Sequence, residues 1–149
     1  MRTLILIVAL ALSGCSALEE RPQGSVTFSE LGKGQLYGNG AEGIPASPQA
    51  IGDPAHWKAL LDQMDRVDPQ TEGLRGAAID FSTHMVLAVF DRVRGSGGHR
   101  ISITKIVDNG TALVVHLETQ GPSGMAIQVM NQPYQVVSLP RTDRPIVFR

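Results

Sequence analysis

Cysteine is almost absent from this chain: Cys15 is the only one among 149 residues. A single thiol cannot close a disulfide within the chain or build a thiolate metal centre, so the fold must hold through its core. Long apolar runs are missing too. The run from Leu4 to Leu12 is less than half of the roughly 20 residues that a membrane-spanning helix needs. Neither sign of charge dominates, with 13 Lys and Arg against 14 Asp and Glu, which argues against nucleic acid or an anionic lipid surface as the main partner. Internal repeats and low-complexity tracts are absent.

Catalytic motifs are lacking as well. The four histidines, His56, His84, His99 and His116, show no HExxH or HxH spacing, so no metal site is expected. Ser96 and Ser123 lie in glycine-rich loops without the GxSxG context of an elbow nucleophile. Asp80 reads either as a general base or as a structural residue closing the turn before an apolar run. Arg94-Gly95-Ser96-Gly97-Gly98 lacks the Lys-Ser/Thr ending of a phosphate loop and leads into a strand pattern instead of a helix N-terminus. No convergent acid, base and nucleophile emerge, so the expectation is no enzyme and no cofactor.

What is present begins at the N-terminus. Arg2 precedes the apolar run, and Leu12-Ser13-Gly14-Cys15 follows it, the layout of an export signal ending in a sequence that resembles the lipobox of bacterial lipoproteins. The resemblance implies cleavage after residue 14 and acylation of Cys15, giving a lipid-anchored protein of the cell envelope. One acyl chain holds only marginally, at about 0.8 kcal/mol per buried methylene, whereas several on one residue anchor stably. Ser16 follows the cysteine where an aspartate would mark inner-membrane retention, so outer-membrane delivery is expected in a host that has an outer membrane. Cleavage would remove Arg2 and no acid, taking the balance to 12 against 14, a net charge of −2. The remaining 149 − 14 = 135 residues suffice for one domain burying roughly two-thirds of its unfolded surface. Residues 15–24 read as a polar tether and residues 25–149 as a single domain.

Within that domain Val26 and Phe28 alternate with polar residues and predict a first strand. A glycine-rich stretch, 32–43, follows. Asp53 as N-cap and Pro54 at the first helical position open one helix to about Arg66, with Trp57, Leu60, Leu61 and Met64 on one stripe. Met85 to Phe90 is a continuous apolar run suited to a strand buried on both faces. His99–Val107 and Thr111–Thr119 flank Asp108-Asn109-Gly110, the chemistry of a hairpin turn. Met125–Met130, Tyr134–Leu139 and Ile146–Phe148 complete the predicted strands. The fold class is therefore mainly β, a sandwich-like or partly open barrel with one packed N-terminal helix.

Ala78-Ile79-Asp80-Phe81-Ser82, then Met85 to Phe90, then Arg94-Gly95-Ser96-Gly97-Gly98-His99-Arg100-Ile101 resemble the C-terminal domain of PrcB, a protease-complex subunit. Gln132-Pro133-Tyr134-Gln135-Val136-Val137 and the ending Pro145-Ile146-Val147-Phe148 extend the likeness, which runs over roughly residues 26–149. Ser96 stands where that family usually has threonine, and His99 replaces an aromatic residue. The resemblance implies a non-catalytic lipoprotein that associates with a secreted or envelope protease and stabilises or assembles it. A fold-level likeness to chagasin-type cysteine-protease inhibitors gives an alternative, a loop-based inhibitor, and a structural envelope lipoprotein is a third. The candidate contact residues are Arg94, Gly95, Ser96, Gly97, Gly98 and His99, with Gln132, Pro133 and Tyr134 as a second element. For the glycine loop a tight turn without a partner stays open, as does a core role for Tyr134.

Overall fold

The computed structural model describes residues 24–149. The expected signal, Cys15 and nearly all of the tether lie outside the described residues. Two four-stranded sheets pack face to face without closing into a barrel. One contains β1 (Gly24–Ser25), β5 (Arg100–Asp108), β6 (Leu113–Gln120) and β8 (Ile146–Phe148), in the order β1-β5-β6-β8. The other contains β2 (Ser29–Leu36), β7 (Gln132–Pro140), β4 (His84–Phe90) and β3 (Gln49–Ile51), in the order β2-β7-β4-β3. All pairings are antiparallel except β6 with β8.

The unbroken apolar run of β4 follows from its position. Met85, Leu87 and Val89 face the other sheet, in a cluster with Ile101, Ile103, Ile106, Leu113, Val115, Val137 and Leu139. Val86, Ala88 and Phe90 face the opposite way, into a second cluster with the helical layer. A strand with a core on each side has no polar face, because side chains alternate across the sheet. At about 1.5–3 kcal/mol for each large apolar side chain fully buried, this strand, with three side chains in each cluster, ties the two cores together.

The predicted helix forms, and a second, unpredicted one joins it in the same layer. Helix α1 (Pro54–Met64) is capped by Asp53, whose Oδ1 accepts the His56 backbone N–H at 2.9 Å. Trp57, Leu60, Leu61 and Met64 are buried against the outer face of the β2-β7-β4-β3 sheet. A short second helix, α2 (Glu72–Arg75), adds Leu74 to the same cluster. Asp65 joins the two helices. Its carboxylate accepts the N–H groups of Gln70 at 2.8 Å and Thr71 at 3.0 Å, the Thr71 hydroxyl at 2.5 Å, and Arg75 Nε and Nη2 at 3.0 and 2.8 Å.

Two expected strands are corrected. Val26–Phe28 is not a strand: only Gly24–Ser25 pairs with β5, Val26 adds one hydrogen bond to Ile106, and the chain then crosses to the other sheet. The strand that follows, β2, lies instead in Ser29–Leu36, including the start of the glycine-rich stretch 32–43. Its glycines supply space. A Cβ at Gly32 would lie 2.8 Å from Leu74 Cδ2, and one at Gly34 would lie 3.1 Å from the Tyr134 hydroxyl oxygen. Met125–Met130 is the second correction. It is part of the connection between β6 and β7, where Met125 and Ile127 are exposed. Both flanks of β6 are already taken by β5 and β8, so the segment cannot turn back to pair beside the strand it follows.

Candidate functional site

The glycine loop connects β4 to β5 and is held from below. Asp91, buried at the end of β4, accepts Arg94 Nε at 2.7 Å and Nη2 at 3.0 Å, a bidentate pair shielded from solvent. Arg94 and Asn131 exchange backbone hydrogen bonds at 2.7 and 3.0 Å, and the Asn131 side-chain amide donates to the carbonyls of Ser96 and Val129. Gly97 donates to the Ile127 carbonyl at 3.0 Å. Gly98 has φ +82°, and a Cβ there would sit 2.9 Å from the Pro122 Cβ. Here both backbone handedness and space demand glycine. The glycine loop and the 121–131 connection are therefore one built unit.

The nine predicted contact residues divide into two groups. Gly97, Gly98 and His99 line cavities at the surface, whereas Arg94 is committed to Asp91 and Gly95 is exposed. Ser96 Oγ lies 3.2 Å from His99 Nε2. Gln132, Pro133 and Tyr134 are buried, and their interactions are internal. Asp91 donates its N–H to the Pro133 carbonyl. Proline has no N–H to return, and the Gln132 amide serves the Asp91 carbonyl instead at 2.9 Å, while also donating to Ile44 at 3.0 Å. Tyr134 packs on Phe90 with ring centroids 6.1 Å apart. Burial, and secondarily the Asp65 carboxylate, pushes its phenol above the ordinary tyrosine pKa. Asp80 is a turn residue: its carboxylate accepts the Ser82 N–H and hydroxyl, which hold its pKa below the usual carboxylate value.

Two adjoining cavities open beside this unit, of about 640 and 480 Å³. The first lies between Tyr37, Gly97, Gly98 and the connection from Gln120 to Val129. The second runs between Lys33–Gln35 of β2 and His99–Ser102 at the start of β5, over Tyr134. They share Gln35, Arg100 and Gln120. The formal charges on their walls are Arg100 and Lys33, both cationic. On the lining of the first cavity Tyr37, Met125 and Ile127 are exposed, at 53%, 107% and 74%, and Met130, beside Gly95, is exposed at 44%. Among the described residues no group of three His, Cys, Asp or Glu is placed to hold a metal ion. The chemistry on offer is apolar contact, amide and hydroxyl hydrogen bonding, and positive charge.

Sequence reasoning missed Tyr37, Lys33 and the 121–131 connection. The available signal was Gly121-Pro122-Ser123-Gly124, punctuation strong enough to detach the following alternation from a sheet.

The architecture is a β-sandwich with a helical layer on one sheet and a groove of cationic and apolar lining at one end. Residues 85–140, from the central strand through the hairpin and the connection to the end of β7, match the family described as PrcB C-terminal, so this segment is similar to a PrcB-type C-terminal domain. The match is narrower than the resemblance over 26–149 and leaves α1 and β2 outside it. No curated protein and no solved structure matches the chain.

Proposed function

We propose that this chain is a lipid-anchored envelope protein whose domain is a non-catalytic interaction module, binding an extracytoplasmic protease or a component of its complex through the groove between the glycine loop and the 121–131 connection. The observation that carries the reading is the cluster of exposed Met125, Ile127 and Met130 on a connection that backbone hydrogen bonds and Pro122 hold against the glycine loop. Single exposed apolar residues are ordinary, but several within one short segment, beside a cavity, mark an interaction surface. Met side chains suit such a surface because they adapt their shape to a partner.

The placement of the chain ends supports a tethered reader. Gly24, where the described residues begin, pairs with Asp108 at one end of β5, and the glycine loop meets the other end at Arg100. Nine strand residues separate the two, roughly 25–30 Å at about 3.3 Å per residue. The family match supports a protease-complex partner.

The test is crosslinking in intact envelopes with the lipidated chain carrying a C-terminal affinity tag. Near-stoichiometric recovery of one protease or its complex, lost when Met125 and Ile127 are replaced by serine, is the expected result. Recovery of nothing specific, or of a protease whose capture ignores those substitutions, refutes the assignment.

A further inference from the structure

The first strand of the described chain starts in one sheet and continues in the other, and this leaves a seam. Residues Gly24 and Ser25 pair with β5 at Asp108 and Val107, and Val26 bonds to Ile106. After that the chain moves to β7 as β2 and is the edge strand of its sheet. The first half of β5 therefore has β6 on one side and no strand on the other.

Side-chain amides fill two places along that open edge. Gln35 of β2 donates to the His99 carbonyl at 3.2 Å, and Gln135 of β7 accepts the Ile103 N–H at 2.6 Å while donating to Glu30 at 2.7 Å. Backbone groups of a strand alternate sides with a period of two, so residues 99, 101 and 103 present theirs to the seam. Ile101 lies between the two glutamine contacts, and among the described residues no side chain hydrogen-bonds to its N–H or carbonyl. The smaller cavity opens there, with Lys33 and Arg100 as its formal charges.

Resting on the interaction-module reading, the geometry points to strand addition: an extended acidic peptide segment of the partner enters the seam, pairs its backbone with Ile101, and sets carboxylates against Lys33 and Arg100. An open strand edge recognises backbone through hydrogen bonds, and the flanking side chains choose the sequence. The occupant is extended because its pairing partner is a strand edge. It is acidic because Arg100 has no ion-pair partner among the described residues and lies on the wall with Lys33, whose ammonium is held by Glu30 at 3.1 Å and can be taken over by an entering carboxylate.

The experiment uses the lipidated full chain in detergent micelles and three acetylated octapeptides, one alternating glutamate and valine, one lysine and valine, and one glutamate and proline. The third keeps the charge but removes every second N–H. Affinity is read by fluorescence anisotropy, and amide hydrogen exchange is followed at Ile101. The glutamate–valine peptide should bind at least about tenfold tighter than either control, slow exchange at Ile101, and weaken about tenfold or more in the Lys33→Glu, Arg100→Glu double variant. Equal binding of the proline peptide, equal binding of the lysine peptide, or unchanged exchange at Ile101 overturns strand addition. If envelope crosslinking still captures the partner with the double variant as with wild type, the module reading stands and strand addition falls. If the peptide binds as described while no partner is captured in envelopes, strand addition stands and the module reading falls.

Discussion

Replacing Asp65 by asparagine tests the junction between the helices and the sheet beneath them. In the folded chain this carboxylate is mostly shielded, which by itself would raise its pKa. Five donors more than offset that: the Thr71 hydroxyl, the Gln70 N–H, two Arg75 nitrogens and the Thr71 N–H together bring the pKa from 3.8 down to about 2. A drop of just under two units corresponds to roughly 2–2.5 kcal/mol of folding free energy, at about 1.4 kcal/mol per unit. The sign follows from the direction of the shift. The folded state holds the proton more weakly than the unfolded one, so this stabilisation is complete well above pH 3.8 and fades as pH falls towards 2. Asparagine keeps one acceptor oxygen but turns an N–H₂ group towards donors, so D65N should be about 2 kcal/mol less stable at pH 7. For a domain of this size that is a fall in Tm of roughly 5–8 °C.

Urea unfolding of both proteins at a series of pH values from 7 to 2 measures the difference directly. The gap should be about 2 kcal/mol at pH 7, begin to close near pH 4 and be largely gone at pH 2. A gap that stays constant across that range means that the carboxylate charge is not the source of the stabilisation. A difference below about 0.5 kcal/mol at pH 7 means that the five contacts do not persist in solution.

Leu87, fully buried between the sheets, should cost about 2–5 kcal/mol when replaced by alanine, seen as a lower urea midpoint with an unchanged slope. G98A places a Cβ at φ +82° and 2.9 Å from Pro122, so it should lose about 1–2 kcal/mol and speed amide exchange across 121–131, whereas G95A, which meets only Met130 Sδ at 3.9 Å, should do neither. M125S together with I127S should change stability by less than about 0.5 kcal/mol, because both side chains are exposed, and should nonetheless abolish partner capture in envelope crosslinking.

Elements whose physics is local were legible in the sequence. The α1 stripe and its Asp53-Pro54 start need only neighbours within one helix, and the β5–β6 hairpin is announced by Asp108-Asn109-Gly110, where Gly110 has φ +91° and the Asp108 carboxylate accepts its N–H at 2.9 Å. The unbroken apolarity of β4 gave its two-faced burial. What was hidden depended on distant partners. Nothing near Gly32 or Gly34 says that Leu74 and Tyr134 will lie against them, so most of a strand read only as a glycine-rich stretch. Nothing near Met125–Met130 says that both flanks of β6 are already filled, so a loop read as a strand. Gln132-Pro133-Tyr134 was noticed as a motif, but its work is internal: it ends the β4–β7 ladder and lends the Gln132 amide to Asp91 and Ile44.

The candidate groove and the family-matched segment do not coincide, and the mismatch has a structural origin. Residues 85–140 supply the β5 edge, the glycine loop and the connection, that is, one wall and the exposed apolar residues. The opposite wall, with Lys33, Gln35 and Tyr37, comes from the strand that switches sheets and lies outside the match. The seam exists because β1 stops at Ser25 and β2 begins on the other sheet at Ser29. How wide it opens, and which charges face it, are then set by this short crossing and by the glutamines that bridge it. A groove with one wall inside the family segment and one outside can keep a common backbone mode of recognition while its side-chain preference changes with the sequence of the switching strand. On that division, Ile101 governs whether an extended segment pairs at all, and Lys33, working with Arg100 across the gap, governs which segment.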